Sequence, residues 1–326
     1  MPVAVGKPPT TFNLLIDTGS ANIWVGVHKG YTPTSTSQTQ GNEVQVTYGS
    51  GSFVGTEYTD TIALSPNMII KNQSIGVATS TEGFEDPNVH GVLGLGPVLL
   101  TLGTVKNMTY VPTITDNMLS QGIIKKESIG IFFAPTPDKR HNLANGQITF
   151  GGIDVSKITT PMKYVPITKS FPANRHWGID LAIKYDGSEI MSECAGIVDS
   201  GTTLVMLATE TFEKYKKATG AVFDRATGLL TVTDEQFKKM KSMEFHIGGT
   251  TYEFIPNAQI CPRAMNETIG GSADKIYLLF ADMGQLTGGI DFIIGLAFLL
   301  RYYSEYDTTN KRVGFAETEF TYVETN

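Results

Sequence analysis

Two short stretches of the sequence place a carboxylate directly after an apolar run. Asp17 stands in "NLLIDTGSAN" and Asp199 in "AGIVDSGTTL", and each is followed by a hydroxyl residue, a glycine and a second hydroxyl residue. A single copy of such a sequence is most often a turn in which Asp, Ser or Thr bonds its own backbone. Two copies, one in each half of the chain, favour a duplicated site instead.

Two carboxylates brought together on a pseudo-two-fold axis cannot both ionise easily. The pKa of one rises, the pKa of the other falls, and the pair shares a proton. Such a pair can hold a water molecule, deprotonate it and protonate a leaving amide nitrogen. This chemistry requires neither a metal ion nor an organic cofactor, and we expect none.

The two halves also share a second motif. An apolar-apolar-glycine stretch follows each aspartate, "GVLGLG" from Gly91 and "FIIGLA" from Phe292. The repeating unit is therefore a whole domain, and the sequence predicts two related β-domains that meet face to face. We place their boundary in the proline-containing segment 159–177, with an N-terminal domain of residues 1–165 and a C-terminal domain of residues 166–326.

The composition is that of a globular protein with sparse charge. Of the 326 residues, 41% are hydrophobic and 17% charged, and the formal net charge is −7. An acidic protein is a poor partner for nucleic acid or an anionic membrane. The longest apolar run, "FIIGLAFLL", is too short to cross a bilayer. The N-terminus lacks the charged-then-apolar layout of a signal peptide and looks like the inside of a domain.

Strand signals dominate along the chain. Residues 42–64 alternate apolar and polar side chains around a Gly-Ser-Gly turn, and residues 243–255 predict two strands around a Gly-Gly turn. Short helices are predicted within residues 113–122 and 208–220, each ending at a glycine. Residues 31–42 contain few apolar side chains and indicate a mobile surface loop. The predicted fold class is therefore mainly β.

The chain resembles the pepsin-type aspartic proteases over essentially its whole length. "LLIDTGSANIWVG" and "AGIVDSGTTL" are similar to the two active-site signatures of that family, and "VTYGSGSFVG" is similar to its flap hairpin. The details of "KYKKATGAV", "NAQICPR", "IGGSA" and "YDTTNKR" look closest to the fungal polyporopepsin-like branch. The resemblance implies a bilobal acid protease fold with two pseudo-two-fold-related β-domains, an inter-domain cleft and a flap.

The resemblance implies roles for particular residues. Asp17 and Asp199 would be the catalytic pair of an acid endopeptidase. Residues that support this pair would be Thr18, Gly19, Ser20, Ser200, Gly201 and Thr202. Thr18 and Ser200 would form an interlocking hydroxyl pair, Ser20 and Thr202 would bond the carboxylates, and the two glycines would also face the substrate.

Substrate-binding residues are implied in the first half of the chain. Tyr48 would lie in the flap, backed by Trp24, although a tryptophan after an apolar strand is core packing about as often. Gly49 and Ser50 would offer backbone groups to the peptide, and Val92 would line a specificity pocket that prefers apolar or aromatic residues beside the cut bond. The implied partners are an extended peptide or unfolded protein and pepstatin-like inhibitors, and the implied protein is an extracellular monomer.

Two positions and one segment depart from the family pattern. Leu296 follows the glycine of "IIGLAF", and His90 precedes "GVLGLG", where relatives often have aspartate. These changes are expected to alter the titration of the dyad or add a pH-dependent charge. The family also has a strand before the segment matching "PVAVGKPPTTF", which this chain is expected to lack, leaving an unpaired sheet edge.

Several alternatives stay open. The chain could be a catalytically silent peptide-binding or inhibitor-like relative, or an inactive truncated form, although both aspartates and the flap tyrosine are present. A glycosidase also uses two carboxylates, but only two tryptophans are available as sugar platforms. Cys194 and Cys261 could pair, although two buried free thiols are favoured. Asn72, Asn107 and Asn266 begin Asn-x-Ser/Thr sequons, which permit glycosylation without establishing it.

Overall fold

The computed structural model describes residues 1–135, 145–285 and 288–325. The chain divides into two compact units, Met1–Glu127 and Ser128–Asn326. Strands dominate both units, which agrees with the predicted fold class. The division falls earlier than the predicted domain boundary because the strands that follow Glu127 pair within the second unit. The boundary after residue 165 therefore stays a prediction.

The first unit contains one large sheet and one α-helix, α1 (Ile114–Ser120). The strands of this sheet are β1 (Pro2–Val5), β2 (Thr10–Asp17), β3 (Ile23–Val25), β4 (Glu43–Tyr48), β5 (Gly51–Ser65), β6 (Met68–Glu82) and β7 (Gly91–Gly94). Their order is β1-β2-β7-β3-β6-β5-β4, and β1 also pairs with β5.

The described residues of the second unit form three sheets and three α-helices. Its strands are β8 (Ser128–Phe132), β9 (Gln147–Phe150), β10 (Lys163–Pro166), β11 (Gly178–Tyr185), β12 (Ser188–Val198), β13 (Val205–Leu207), β14 (Val222–Asp224), β15 (Leu229–Val232), β16 (Met243–Ile247), β17 (Thr250–Phe254), β18 (Ile276–Tyr277), β19 (Phe280–Asp282), β20 (Phe292–Ile294), β21 (Tyr302–Asp307) and β22 (Arg312–Glu317). Its helices are α2 (Thr209–Thr219), α3 (Asp234–Phe237) and α4 (Leu296–Leu299).

The sheets of the second unit differ in size. A seven-stranded sheet has the order β17-β16-β11-β12-β20-β13-β19, a five-stranded sheet has the order β10-β22-β21-β8-β9, and a three-stranded sheet has the order β14-β15-β18. In the part of the chain that the structure describes, 3₁₀ turns lie between strands and helices of the same unit, at Val98–Thr101 in the first unit and at Val155–Lys157, Ala173–Arg175, Pro256–Gln259 and Arg263–Met265 in the second.

The predicted hairpins and helices are confirmed, and local chemistry explains them. β4 and β5 pair directly across Gly49 and Ser50, and β16 and β17 pair across Gly248 and Gly249, whose φ angles of 56° and 80° suit a tight hairpin turn. Helix α1 begins at a capping box, in which the Thr113 side chain and that of the third helical residue each bond the other's backbone.

Each unit has its own apolar core. In the first unit, Trp24, Val44, Phe53 and Val92 are buried in one cluster. The core of the second unit is rich in aromatic rings: Phe298 stacks on Tyr302 with ring centroids 4.6 Å apart and contacts Phe245, Phe254 and Phe315 edge-on or tilted. Large rings bury much apolar area for each residue, so few helices are needed to cover these sheets.

The loop over residues 31–42 is tied to the sheet by a buried carboxylate, which does not fit the mobile loop that its composition indicated. Asp60 of β5 has no exposed surface, and its carboxylate accepts hydrogen bonds from the hydroxyls of Tyr31, Thr36 and Ser37 at 2.8, 2.5 and 2.8 Å. The polar side chains of the loop therefore supply the hydrogen-bond donors for the carboxylate of Asp60.

Both cysteines are free thiols, as favoured from the sequence. Cys194 lies half-buried in β12, and Cys261 is buried. Burial, together with the nearby carboxylates of Asp291, Asp180 and Glu193, raises the pKa of Cys194 to about 12. The thiol is therefore protonated, and poorly nucleophilic, across the acidic and neutral range. No helix within the described part of the chain is long and apolar enough to cross a membrane.

Candidate active site

The first aspartate turn lies at the end of β2. Asp17 is the last residue of that strand and is 5% exposed. The backbone N–H of Gly19 donates to Oδ1 of Asp17 at 2.8 Å, and the hydroxyl of Ser20 donates to Oδ2 at 2.5 Å. Thr18, which lies between Asp17 and Gly19 in the sequence, is fully buried. Because each carboxylate oxygen accepts its own hydrogen bond, the plane of the carboxylate is fixed.

The second aspartate turn repeats this pattern. Asp199 directly follows β12, and its backbone N–H donates to the carbonyl of Ile294 at 3.0 Å. Gly201 N–H donates to Oδ1 of Asp199 at 2.8 Å, and the Thr202 hydroxyl donates to Oδ2 at 2.7 Å. Ser200 is buried, as Thr18 is in the first turn. The hydroxyl residues predicted to bond the carboxylates therefore do so within each turn.

The strands around the two turns have the same topology. In the first unit, β2 runs parallel to β7, and β7 pairs antiparallel with β3. In the second unit, β12 runs parallel to β20, and β20 pairs antiparallel with β13. Each aspartate thus leaves one strand, turns, and returns to the sheet on the other side of a central strand. The duplication noticed in the sequence is a duplication of this three-strand unit.

A glycine at the end of each central strand makes room for the aspartate turn. Gly94 is the last residue of β7, and Gly295 directly follows β20. A Cβ atom on Gly94 would lie 2.5 Å from the carbonyl oxygen of Asn22, and one on Gly295 would lie 2.0 Å from that of Leu204. Real Cβ atoms do not approach a backbone oxygen so closely, so only glycine fits. This is the physical reason for the second repeated motif.

The predicted flap residues lie in the β4–β5 hairpin. The Trp24 indole N–H donates to the Tyr48 hydroxyl at 2.7 Å, which confirms the contact between the two side chains. Burial and the nearby charge of Asp17 raise the pKa of the Tyr48 hydroxyl, so Tyr48 stays protonated at any working pH. Gly49 and Ser50 at the hairpin tip are exposed, which leaves their backbone groups open to a partner.

Two aromatic and apolar neighbours complete this region. Phe84, which the sequence did not single out, contacts Trp24 and Tyr48 edge-on with ring centroids 4.8 and 5.6 Å apart. It lies after the end of β6 in a segment without apolar periodicity, so no local signal marked it. Val92 is only 1% exposed and packs in the core cluster with Trp24 and Phe53; its predicted place in a specificity pocket stays a prediction.

The two positions that depart from the family pattern, His90 and Leu296, have identifiable hydrogen-bond partners. His90 Nδ1 accepts a hydrogen bond from the backbone N–H of Asn13 at 3.0 Å, which requires the neutral imidazole. Desolvation, with the charges of Lys29 and His28, lowers the pKa of His90. Leu296 opens α4, and its N–H donates to the carbonyl of Thr202 at 2.7 Å. This second departure places an apolar side chain next to the second aspartate turn.

No group of three or more His, Cys, Asp and Glu side chains placed to hold a metal ion occurs among residues 1–135, 145–285 and 288–325. The chemistry that the site can perform on its own residues is proton transfer by carboxylates.

Comparisons with known proteins agree with this architecture. The family model described as eukaryotic aspartyl protease matches residues 1–318, and the chain belongs to that family. It is 52% identical to polyporopepsin of Irpex lacteus over 328 residues, which covers 99% of this chain and 95% of the relative. More distant relatives include cathepsin E-B of Xenopus laevis, 27% identical over 96% of this chain and 78% of the relative, and gastricsin of Callithrix jacchus, 28% identical over 96% and 80%.

A comparison with solved structures supports the same family assignment. The crystal structure of the aspartic proteinase from Irpex lacteus matches with a TM-score of 0.96 and 51% identity, and the match covers 100% of this chain and 95% of that one. The pepsin-like fold expected from the sequence is confirmed, as are the resemblance to the polyporopepsin-like branch and the activity class. The protein is an aspartic-type endopeptidase, and nothing supports the catalytically silent alternative.

Proposed function

We propose that Asp17 and Asp199 form one catalytic dyad that hydrolyses peptide bonds at acidic pH. The observation that carries the proposal is the matched hydrogen bonding of the two turns. In each, the N–H of a glycine two residues after the aspartate donates to Oδ1, and the hydroxyl of the residue after that glycine donates to Oδ2. Two carboxylates with matched supports are suited to a pseudo-two-fold arrangement around one water molecule.

The proposed reaction divides the proton work between the two carboxyl groups. One is ionised and removes a proton from the water, while the other is protonated and donates to the carbonyl oxygen of the substrate. The oxygen of the water bonds to the carbonyl carbon and forms a tetrahedral diol. A proton then moves to the amide nitrogen, the C–N bond breaks, and the carboxylic acid and amine products leave with the dyad ready for a new water.

The proposed substrate is an extended peptide or unfolded protein. The exposed backbone of Gly49 and Ser50 can pair with a peptide in the manner of an added strand, and alternate side-chain pockets select among peptides. The rings of Tyr48 and Phe84 offer an apolar wall, which supports a preference for apolar or aromatic residues beside the cut bond. Pepstatin-like inhibitors, extracellular location and a monomeric state belong to the same proposal.

The experiment that tests this proposal is cleavage of an unfolded protein from about pH 2.5 to 7, with and without pepstatin, by the unaltered protein and by the variants Asp17→Asn and Asp199→Asn. We expect acid-optimal cleavage that pepstatin abolishes and that each variant lowers by at least about 10⁴-fold. Asp86→Asn, at an exposed aspartate of the first unit, is the matched control and should retain full activity.

The contrary outcomes are distinct. If one of the two catalytic variants keeps near-normal activity while its circular dichroism is native, the dyad is wrong. If the unaltered protein is folded and binds pepstatin without cleaving any substrate, the assigned residues form a peptide-binding site and the proposed chemistry is wrong.

A further inference from the structure

Three sequons occur in the sequence, and their asparagines have very different surroundings in the folded chain. Asn72 and Asn107 are exposed, whereas Asn266 has no exposed surface. We propose that Asn107 and Asn72 carry N-linked glycans and that Asn266 does not. The inference rests on the extracellular location proposed above, which requires a secretory pathway, and not on the catalytic roles of the two aspartates.

Asn107 is the most open acceptor. It lies in a turn with a left-handed backbone, φ 65°, and both it and the sequon hydroxyl residue Thr109 are exposed. Its side-chain N–H donates to Asn42 Oδ1 at 3.3 Å, a long hydrogen bond at an exposed site. Such a bond exchanges with water at little cost, so a sugar on Nδ2 is compatible with the folded turn.

Asn72 is turned outward by an irregularity in β6. The pairing between β5 and β6 shifts register between Ile70 and Gln73, and Asn72, with φ 50°, stands on this bulge. The sequon hydroxyl Ser74 is buried and donates to Glu57. Because that hydroxyl is free only before folding, Asn72 would be modified on the nascent chain, and its side chain would then still project into solvent.

Asn266 is the opposite case. Its Nδ2 donates to the carbonyl oxygens of Ser272 and Lys275 at 3.0 and 2.7 Å. Both amide hydrogens therefore hold the segment between the 3₁₀ turn Arg263–Met265 and β18 in place. A glycosidic bond at Nδ2 would replace one of these hydrogens with a sugar ring, for which a fully buried side chain has no space. A chain modified there could not form the native segment.

Asn72 and Asn107 also share a surface feature. Both line a cavity of about 490 Å³ whose walls include Asn42, Tyr58 and Glu57. The innermost sugars on either asparagine would lie over this cavity, where amide and hydroxyl groups can bond carbohydrate hydroxyls.

The modification is an ordinary glycosyl transfer from a lipid-linked oligosaccharide. The anomeric carbon of the oligosaccharide forms a C–N bond to the asparagine Nδ2, and the C–O bond between that carbon and the lipid pyrophosphate breaks. The amide nitrogen loses one proton, and the lipid pyrophosphate leaves with the bonding electrons. No oxidant or reductant takes part.

The test is secretion of the full chain, behind a yeast leader, from a yeast that glycosylates. The purified protein would be treated with an amidase that removes N-glycans and converts each modified Asn to Asp, and its peptides would be mapped by mass spectrometry. We expect conversion at Asn107 and Asn72 and none at Asn266. Two variants serve as a pair, Asn107→Gln and Thr109→Ala; the second leaves Asn107 in place, and both should lose the same glycan mass.

Two results would overturn the inference. The first is conversion of Asn266 in secreted protein that has native circular dichroism. The second is no conversion at Asn107 and Asn72 while a host glycoprotein in the same culture is fully modified. The variant Thr268→Ala, which removes the third sequon at an exposed side chain, should change neither the glycan mass nor the yield.

Discussion

At the scale of single residues, the two carboxylates owe their geometry to short hydrogen bonds from neighbours within four positions in the chain. Ser20 and Thr202 donate to Oδ2 of Asp17 and Asp199, respectively. A hydrogen bond to a charged carboxylate is shorter and stronger than one between neutral groups. The hydroxyls therefore help to hold each carboxylate of the proposed dyad in one orientation.

Removing the second hydroxyl tests this influence. In Thr202→Ala, Asp199 loses one charge-assisted hydrogen bond, which is worth about 1.5–3 kcal/mol. We expect kcat/KM to fall by about 10-fold or more, because one oxygen of the carboxylate is no longer held. Steady-state kinetics at acidic pH would measure the fall.

Two controls separate this effect from a packing change. Thr202→Ser retains the hydroxyl and should keep most of the activity. Thr203→Ala alters an exposed neighbour in the same turn and should leave kcat/KM unchanged. An unchanged kcat/KM in Thr202→Ala would show that the hydroxyl does not position the carboxylate.

At the scale of elements, the loop over residues 31–42 depends on Asp60. Burial opposes ionisation of this carboxyl, but hydrogen bonds from Thr36, Tyr31, Ser37 and the Thr61 N–H outweigh burial and lower its pKa. A folded-state pKa below the unfolded value contributes stability that is present above the unfolded pKa and is lost as the pH falls through the folded one. The loop is therefore anchored by an anion at all but the lowest pH values.

Asp60→Asn should release this loop. The amide keeps the shape but provides one acceptor oxygen in place of two and adds donors where donors already converge, so we expect a loss of about 2–4 kcal/mol. Limited digestion with a neutral-pH protease, on protein inhibited by pepstatin, should produce new cuts within residues 31–42. Asp86→Asn is the control, since Asp86 is exposed. Unchanged cutting in Asp60→Asn would contradict the anchoring role.

At the scale of the whole molecule, the chain consists of two compact units built around the same three-strand motif, each with its own core. Two carboxyl groups with raised pKa values belong to the first unit. Burial raises the pKa of Glu57 to about 7, against a hydrogen bond from Ser74. Burial and the charge of Asp116 raise the pKa of Glu127 to about 7. Both groups favour the protonated form in the folded chain.

The sign of the pH dependence follows from these directions. Below the unfolded value of 4.5, a glutamic acid is protonated in both states and costs nothing. Between that value and about 7, the unfolded chain ionises while the folded chain resists, so the free energy of unfolding falls as the pH rises. We expect the first unit to lose stability on approach to neutral pH.

Glu57→Gln should reduce this loss by about 1–2 kcal/mol. Calorimetry of an Asp199→Asn background, which prevents self-digestion, would measure the melting temperature from about pH 4 to 7.5. Glu43→Gln, at an exposed carboxyl in the same unit, should follow the unaltered protein. Parallel curves for the Glu57 and Glu43 variants would show that burial of Glu57 does not drive the pH dependence.

Much of this architecture was predictable from local patterns. The hairpins, the helices α1 and α2 and the mainly β class follow from alternation, capping residues and glycine stops, which act over a few neighbouring positions. The two aspartate turns were predictable for the same reason, since the groups that hold Asp17 and Asp199 lie two and three residues further along the chain. The residues of such a local motif are enough to determine the geometry of its turn.

What the sequence determined by itself was thus the pair of carboxylate turns, the repeat that contains them and the class of fold. Only the tertiary structure decided the burial of Asn266, the contact of Phe84 with Tyr48, the packing of Val92 and the anchoring of residues 31–42 by Asp60. Each of these depends on which segment, distant in the sequence, packs against the side chain. Burial and long-range hydrogen bonds result from that packing, and local periodicity does not encode them.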